Sequence, residues 1–274
     1  MVLEGGARTR SPRTASGPRR PWPRITLPYE MAALAAWTAV IALTVTGAVH
    51  GAHPAAPAPA GEAPHHHVAP EHMAHGASGF GGLAGFGGLA TWVLMCVAMM
   101  LPAALPALAH VGTNSLRRRR QRAMAGFAAV YLAVWTGYGA LLLASAPLWS
   151  RLPGDAVPAC ALALAAAWQS TVHKRRALRD CHRSSPLPLS GPRAVAGTVR
   201  FGLRHGGACL RSCWALMAVM AAAGGGTGML AWMALLTGIV TAERFARRPA
   251  RTARFAAAAL AAAALTAALA PALP

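Results

Sequence analysis

Residues 88–111, GLATWVLMCVAMMLPAALPALAHV, decide the fold class. The run holds no Asp, Glu, Lys or Arg, and at a rise of about 1.5 Å per residue it is long enough to cross a hydrocarbon core of ~30 Å as a helix. It is followed at 117–122 by RRRRQR. An apolar span that ends in a block of arginines reads as a transmembrane helix whose basic end stays on the cytoplasmic side.

Working outward, residues 31–49 form a first apolar stretch. Others follow at roughly 123–146, 157–172, 207–223, 229–242 and 255–273. Their spacing predicts an all-α, polytopic transmembrane helical bundle of six or seven spans. The composition agrees, with 55% hydrophobic and 12% charged residues against roughly 25% charged in a soluble domain. A net charge of +19 with seven acidic residues would suggest nucleic acid in a soluble protein, but the placement of the cations excludes that partner. Of the 26 Lys and Arg, only Arg151 and Arg211 lie outside the N-terminal tail and three basic segments. That asymmetry predicts a multi-pass protein of the inner (plasma) membrane with a cytoplasmic N-terminus.

The chain divides accordingly. Residues 1–27, rich in Arg, Pro, Ser and Gly, predict a disordered basic cytoplasmic tail, and 28–49 the first span. Residues 50–86 form an extracytoplasmic loop with seven histidines, 87–245 a membrane core, and 246–274 an alanine-rich C-terminal span. Residues 173–204 read as a long basic connection, and Gly224–Gly228 as a tight turn between two short spans.

Sulfur is concentrated in two of the spans. In the first array Met95 and Met99, and Cys96 and Met100, are four apart and share helix faces. Pro102 and Pro106 follow, and His110 falls on the Met95 face. In CLRSCWALMAVM, Cys209, Cys213, Met217 and Met220 follow steps of four, four and three along one face, with Arg211 on the opposite side. Thiolate and thioether are soft ligands that select Cu(I) among common metals, although Met and Cys also serve as adaptable apolar packing. The loop histidines, among them His65, His66, His67, His72 and His75, lack finger-type spacing and read as a flexible segment that gathers ions. Glu243, the last acidic residue, either pairs with Arg244 or lines a path. No phosphate-binding loop, nucleophile elbow or H-E-x-x-H helix is present in the sequence, so no enzymatic activity is expected.

Three segments together, TWVLMCVAMMLPAALP, WQSTVHKRRALRDC and GLRHGGACLRSCWALMAVM, resemble a bacterial domain-of-unknown-function family of predicted metal-binding integral membrane proteins with a copper-chaperone label. Its first block is matched by Trp92, Met95, Ala98, Met99, Met100, Leu101 and Pro102, and its third by Cys209, Cys213, Trp214, Leu216 and Met217. Gln169, Thr171, Lys174, Leu178 and Cys181 fit the middle block. Ser212 and Ala177 stand where that family carries cysteine, and Val172 where it carries proline. The resemblance implies a metal site that includes Cys181.

The expectation is a membrane protein that binds copper for handling or transfer, with the lipid bilayer, metal ions and other metal-handling proteins as partners. Two alternatives stand beside it: a membrane thiol oxidoreductase using Cys209, Cys213 and Cys181, and an accessory subunit in which sulfur only packs.

Overall fold

The computed structural model describes residues 24–46, 86–149, 151–153, 156–188, 190–222, 227–246 and 249–269. The basic tail before residue 24 and the histidine loop, with His65, His66, His67, His72 and His75, lie outside the described residues. Those residues are helical and contain no strand. The helices are α1 (Leu27–Val45), α2 (Phe86–Thr113), α3 (Arg120–Ala144), the single turn α4 (Ala146–Trp149), α5 (Ala156–Ser170), α6 (Val172–Cys181), α7 (Gly191–Ala222), α8 (Thr227–Phe245) and α9 (Pro249–Leu269). Four segments are long and apolar enough to cross a membrane: Leu27–Val45, Gly88–Thr113, Arg117–Ala144 and Arg251–Leu269. Helix α5 is apolar but shorter, and at 15 residues it extends about 22 Å.

Helix α2 is the centre of the bundle and packs against α1, α3 and α8. Pro102 and Pro106 sit inside it without ending it. Proline has no N–H, so Pro102 leaves the carbonyl four residues earlier, that of Ala98, without its helical donor. The indole Nε1 of Trp37 on α1 donates to that carbonyl at 3.0 Å. Toward α3, Trp92 is buried and its Nε1 donates to the Trp135 carbonyl at 2.9 Å. Gly139 makes room for it, since a Cβ there would lie 2.2 Å from Trp92 Cδ1.

Helix α7 lies along α3 by the same device. Gly202 and Gly206, four apart, face Val130 and Val134, and added Cβ atoms would come within 3.0 and 3.2 Å of those side chains. Two small residues at this spacing let helix backbones approach closely where lipid offers no hydrophobic drive. The alanine-rich α9 packs its Ala253, Ala256, Ala257 and Leu260 face against α5, whose buried positions Leu162, Ala165, Ala166 and Gln169 show the same helical spacing. Outward-facing Leu34, Leu141, Phe255 and Leu265 are exposed, as a lipid-facing surface requires.

The basic connection read at 173–204 is largely helical, and this corrects the sequence reading. In α6, Lys174, Ala177, Leu178 and Cys181 are buried at i, i+3, i+4 and i+7 while the arginines point out, and the Thr171 hydroxyl accepts from the Lys174 N–H at 3.1 Å as the N-cap. Helix α7 starts at Gly191 rather than near Gly207, because Ala194, Thr198, Phe201 and His205 repeat that periodicity upstream of the apolar run. Abundant arginine hid both stripes.

Candidate functional site

Both sulfur arrays are buried in the same core. Met95, Cys96, Met99 and Met100 of α2 are each at most 2% exposed, as are Cys209, Cys213, Met217 and Met220 of α7, and all eight belong to one buried cluster. Burial of Met100 as well as Met95 follows from α2 being surrounded, so both sulfur faces of that helix point into protein.

Tyr131 of α3 ties the arrays together. Its hydroxyl lies 3.1 Å from the Met100 carbonyl, to which it donates, and 3.1 Å from the Cys209 sulfur. Arg244, at the end of α8, donates from its guanidinium to the same sulfur at 2.7 Å. The Cys209 and Cys213 side chains interact with each other. Ser212 lies between them: its hydroxyl donates to the Cys209 carbonyl at 2.8 Å and sits 3.3 Å from the Cys213 sulfur. Cys181 joins this group from α6 through Ser212, with Arg244 and Cys213 also in electrostatic reach. Burial, only partly offset by Arg244, pushes the Cys181 thiol up from its ordinary range. Ser212, at the position where the resembled family carries cysteine, therefore places a hydroxyl amid three thiols, all of them free.

Glu243 does not pair with Arg244, the one partner considered from sequence. It takes the Lys174 ammonium at 2.7 Å, both side chains having no solvent exposure, and accepts from the Gln169 amide at 2.8 Å. The middle sequence block thus acquires a physical role. Gln169 and Lys174 hold the buried carboxylate, Thr171 starts the helix, and Cys181 reaches the sulfur cluster. Arg211 behaves as expected: 64% exposed, it turns back to Asp180 at 3.5 Å.

Histidine contributes at one end of the core. Ala103, Pro106, Ala107, His110, Cys181, His182, His205 and Arg244 line a cavity of ≈ 130 Å³. The ring nitrogens of His110 are occupied, Nε2 lying 2.9 Å from the Ser185 carbonyl and Nδ1 3.2 Å from the Asn114 amide. Those of His182 face the carbonyls of Leu178 at 2.8 Å and Arg244 at 3.1 Å. Only His205, enclosed by Phe127, Tyr131 and Phe201, keeps an unpartnered Nε2. Among the described residues no three His, Cys, Asp or Glu side chains form a metal-holding group.

Sequence reading missed Tyr131, Arg244 and His205, along with Met229 and Met233 of α8, which are also buried. The four-residue spacing of the two methionines repeats the α2 pattern and was a usable signal. Nothing local marks Tyr131 or Arg244, because their importance comes from helices brought together in space.

Comparison with curated proteins and with solved structures gives no match. Residues 89–267, from the start of the sulfur-bearing α2 almost to the end of α9, match the family model PpoB2, described as copper chaperone. Well over half of the chain is covered, and the chain belongs to that family.

Proposed function

We propose that this protein is a carrier of Cu(I) in the plasma membrane, holding the ion on sulfur from α2 and α7 and passing it to or from partner molecules at the basic end of the bundle. The observation that carries the reading is the burial of eight Met and Cys side chains from both arrays in one core, joined by Tyr131. Cu(I) tolerates two or three soft ligands, so mixed thiolate and thioether pairs suffice and hard cations are discriminated against. The family description supports the choice of metal. Helix α5, the apolar half of α7 and α8 complete a bundle of six or seven crossings beside the four long apolar segments. The N-terminus is cytoplasmic by the distribution of arginine, and His65, His66, His67, His72 and His75 gather ions on the opposite side.

The test is the metal content of detergent-purified protein after Cu(I) loading against a competing chelator, for wild type, Met99→Leu and Cys213→Ser. A carrier retains near-stoichiometric copper, and each variant loses at least tenfold in retention. A thiol oxidoreductase would lose function with Cys213→Ser and be indifferent to Met99→Leu. Equal, negligible copper in all three proteins sinks the carrier reading.

A further inference from the structure

Beside the ≈ 130 Å³ cavity is a second of ≈ 260 Å³, which shares Arg183, Phe201 and His205 with it and adds Asp180, Ser185, Arg204 and Arg211 to the wall. A third of ≈ 450 Å³, sharing Ser185, Phe201 and Arg204, adds Arg193 and Arg200. The combined hollow is strongly cationic. Asp180 is the one carboxylate among the residues lining these three cavities, and it is already engaged by Arg183 at 3.9 Å and Arg211 at 3.5 Å.

Two polar atoms of the wall residues are buried without hydrogen-bond partners. His205 is 6% exposed and its Nε2 bonds nothing; Arg244 is 8% exposed, and its Nε is also without a hydrogen-bond partner. Both residues line the ≈ 130 Å³ cavity, where Arg244 adds charge and His205 a polar ring to the buried wall. At the inner wall Cys181 borders the cavity and, through Ser212, the Cys209 and Cys213 pair.

We propose that this hollow is a binding site for an anionic Cu(I)–thiolate complex, the form in which a small carboxylate-bearing thiol presents copper, and that Cys181 takes the ion from it. The proposal rests on the carrier reading above. Two thiolates on one Cu(I) leave a net negative charge, which the ligand's carboxylates increase, and the exposed arginines supply matching forks. Transfer is a ligand exchange without redox change. A Cu–S bond forms to Cys181, one Cu–S bond to the small thiol breaks, and the Cys181 proton leaves on the departing thiolate. In the reverse direction the same site loads the thiol.

Equilibrium dialysis of the full chain in detergent, with labelled S-methylglutathione as the probe, tests the recognition step without metal. Saturable binding of one probe per chain is expected, weakened at least tenfold in Arg183→Gln/Arg204→Gln, whose altered side chains are exposed and leave the helical circular dichroism unchanged. The dimethyl ester of the probe, with its carboxylates masked, should not compete. Absence of saturation, equal binding by the double variant, or displacement by the ester overturns the proposal. Displacement by an equal concentration of inorganic phosphate also overturns it, since the hollow is then a general anion site. Wild type that retains copper against the chelator yet binds no probe removes this site and leaves the carrier reading standing. Wild type that binds the probe but holds no copper removes the carrier reading and the copper cargo with it.

Discussion

The guanidinium of Arg244 donates to the sulfur of Cys209 at 2.7 Å, with Cys209 fully buried. A cation on α8 is thereby fixed to the innermost thiol of α7, although the two helices otherwise touch little. A hydrogen bond involving a charged group contributes about 1.5–3 kcal/mol. In a double-mutant cycle of Arg244→Met and Cys209→Ala, followed by unfolding in mixed detergent, a coupling of that size is expected. Additive effects would remove the bond from the account of stability.

The Lys174–Glu243 pair has no solvent exposure on either side. Removing one partner strands a buried charge, at a cost of about 3–5 kcal/mol, whereas replacing both with apolar groups of similar volume is often neutral. Lys174→Met and Glu243→Leu should each lower the unfolding midpoint sharply. The double variant should recover most of the loss, and a double variant worse than either single one contradicts the pairing.

Trp37 reaches the Ala98 carbonyl only because Pro102 vacates it. Trp37→Phe should therefore destabilise by about 1–3 kcal/mol, the cost of an unmet buried acceptor. In a Pro102→Ala background, where residue 102 supplies its own N–H, the same change should cost much less. Unfolding of the four proteins decides the matter, and an undiminished Trp37→Phe effect in the alanine background counts against the explanation.

Gly139 and Gly137 are two apart on α3 but differ in surroundings. A methyl at 139 meets Trp92, while one at 137 meets nothing within 4 Å. Gly139→Ala should cost about 1–3 kcal/mol through overpacking, and Gly137→Ala should be neutral or stabilising by about 0.4–1 kcal/mol. Thermal unfolding monitored by circular dichroism separates them; equal behaviour refutes the packing assignment.

Much of this organisation was legible in the sequence. The long charge-free run at 88–111 announced α2, and regular sulfur spacing located the faces of α2 and α7 that lie buried, because helical periodicity alone determines which residues share a face. Burial of the Met100 and Cys96 side of α2 was not legible, since it depends on how many neighbours surround the helix. The stripe through Lys174, Leu178 and Cys181 was obscured by four flanking arginines, Arg175, Arg176, Arg179 and Arg183, which hydropathy averages into a loop. Glu243's partner, 69 positions earlier at Lys174, is set by the meeting of α6 with α8, and no local pattern encodes it.

The glycine seam of α7 has a consequence beyond close packing. A Cβ at Gly206 would lie 3.7 Å from the Tyr131 Cα, so the tyrosine's backbone rests directly on α7, within one turn of Cys209. A phenol ring has a fixed length, and its hydroxyl meets sulfur at this end only if the two helix axes keep their separation. Two missing methyl groups thus act as a spacer gauge for the sulfur chamber. A residue that merely widened the gap would detach Tyr131 from Cys209 while leaving every sulfur atom in the chain.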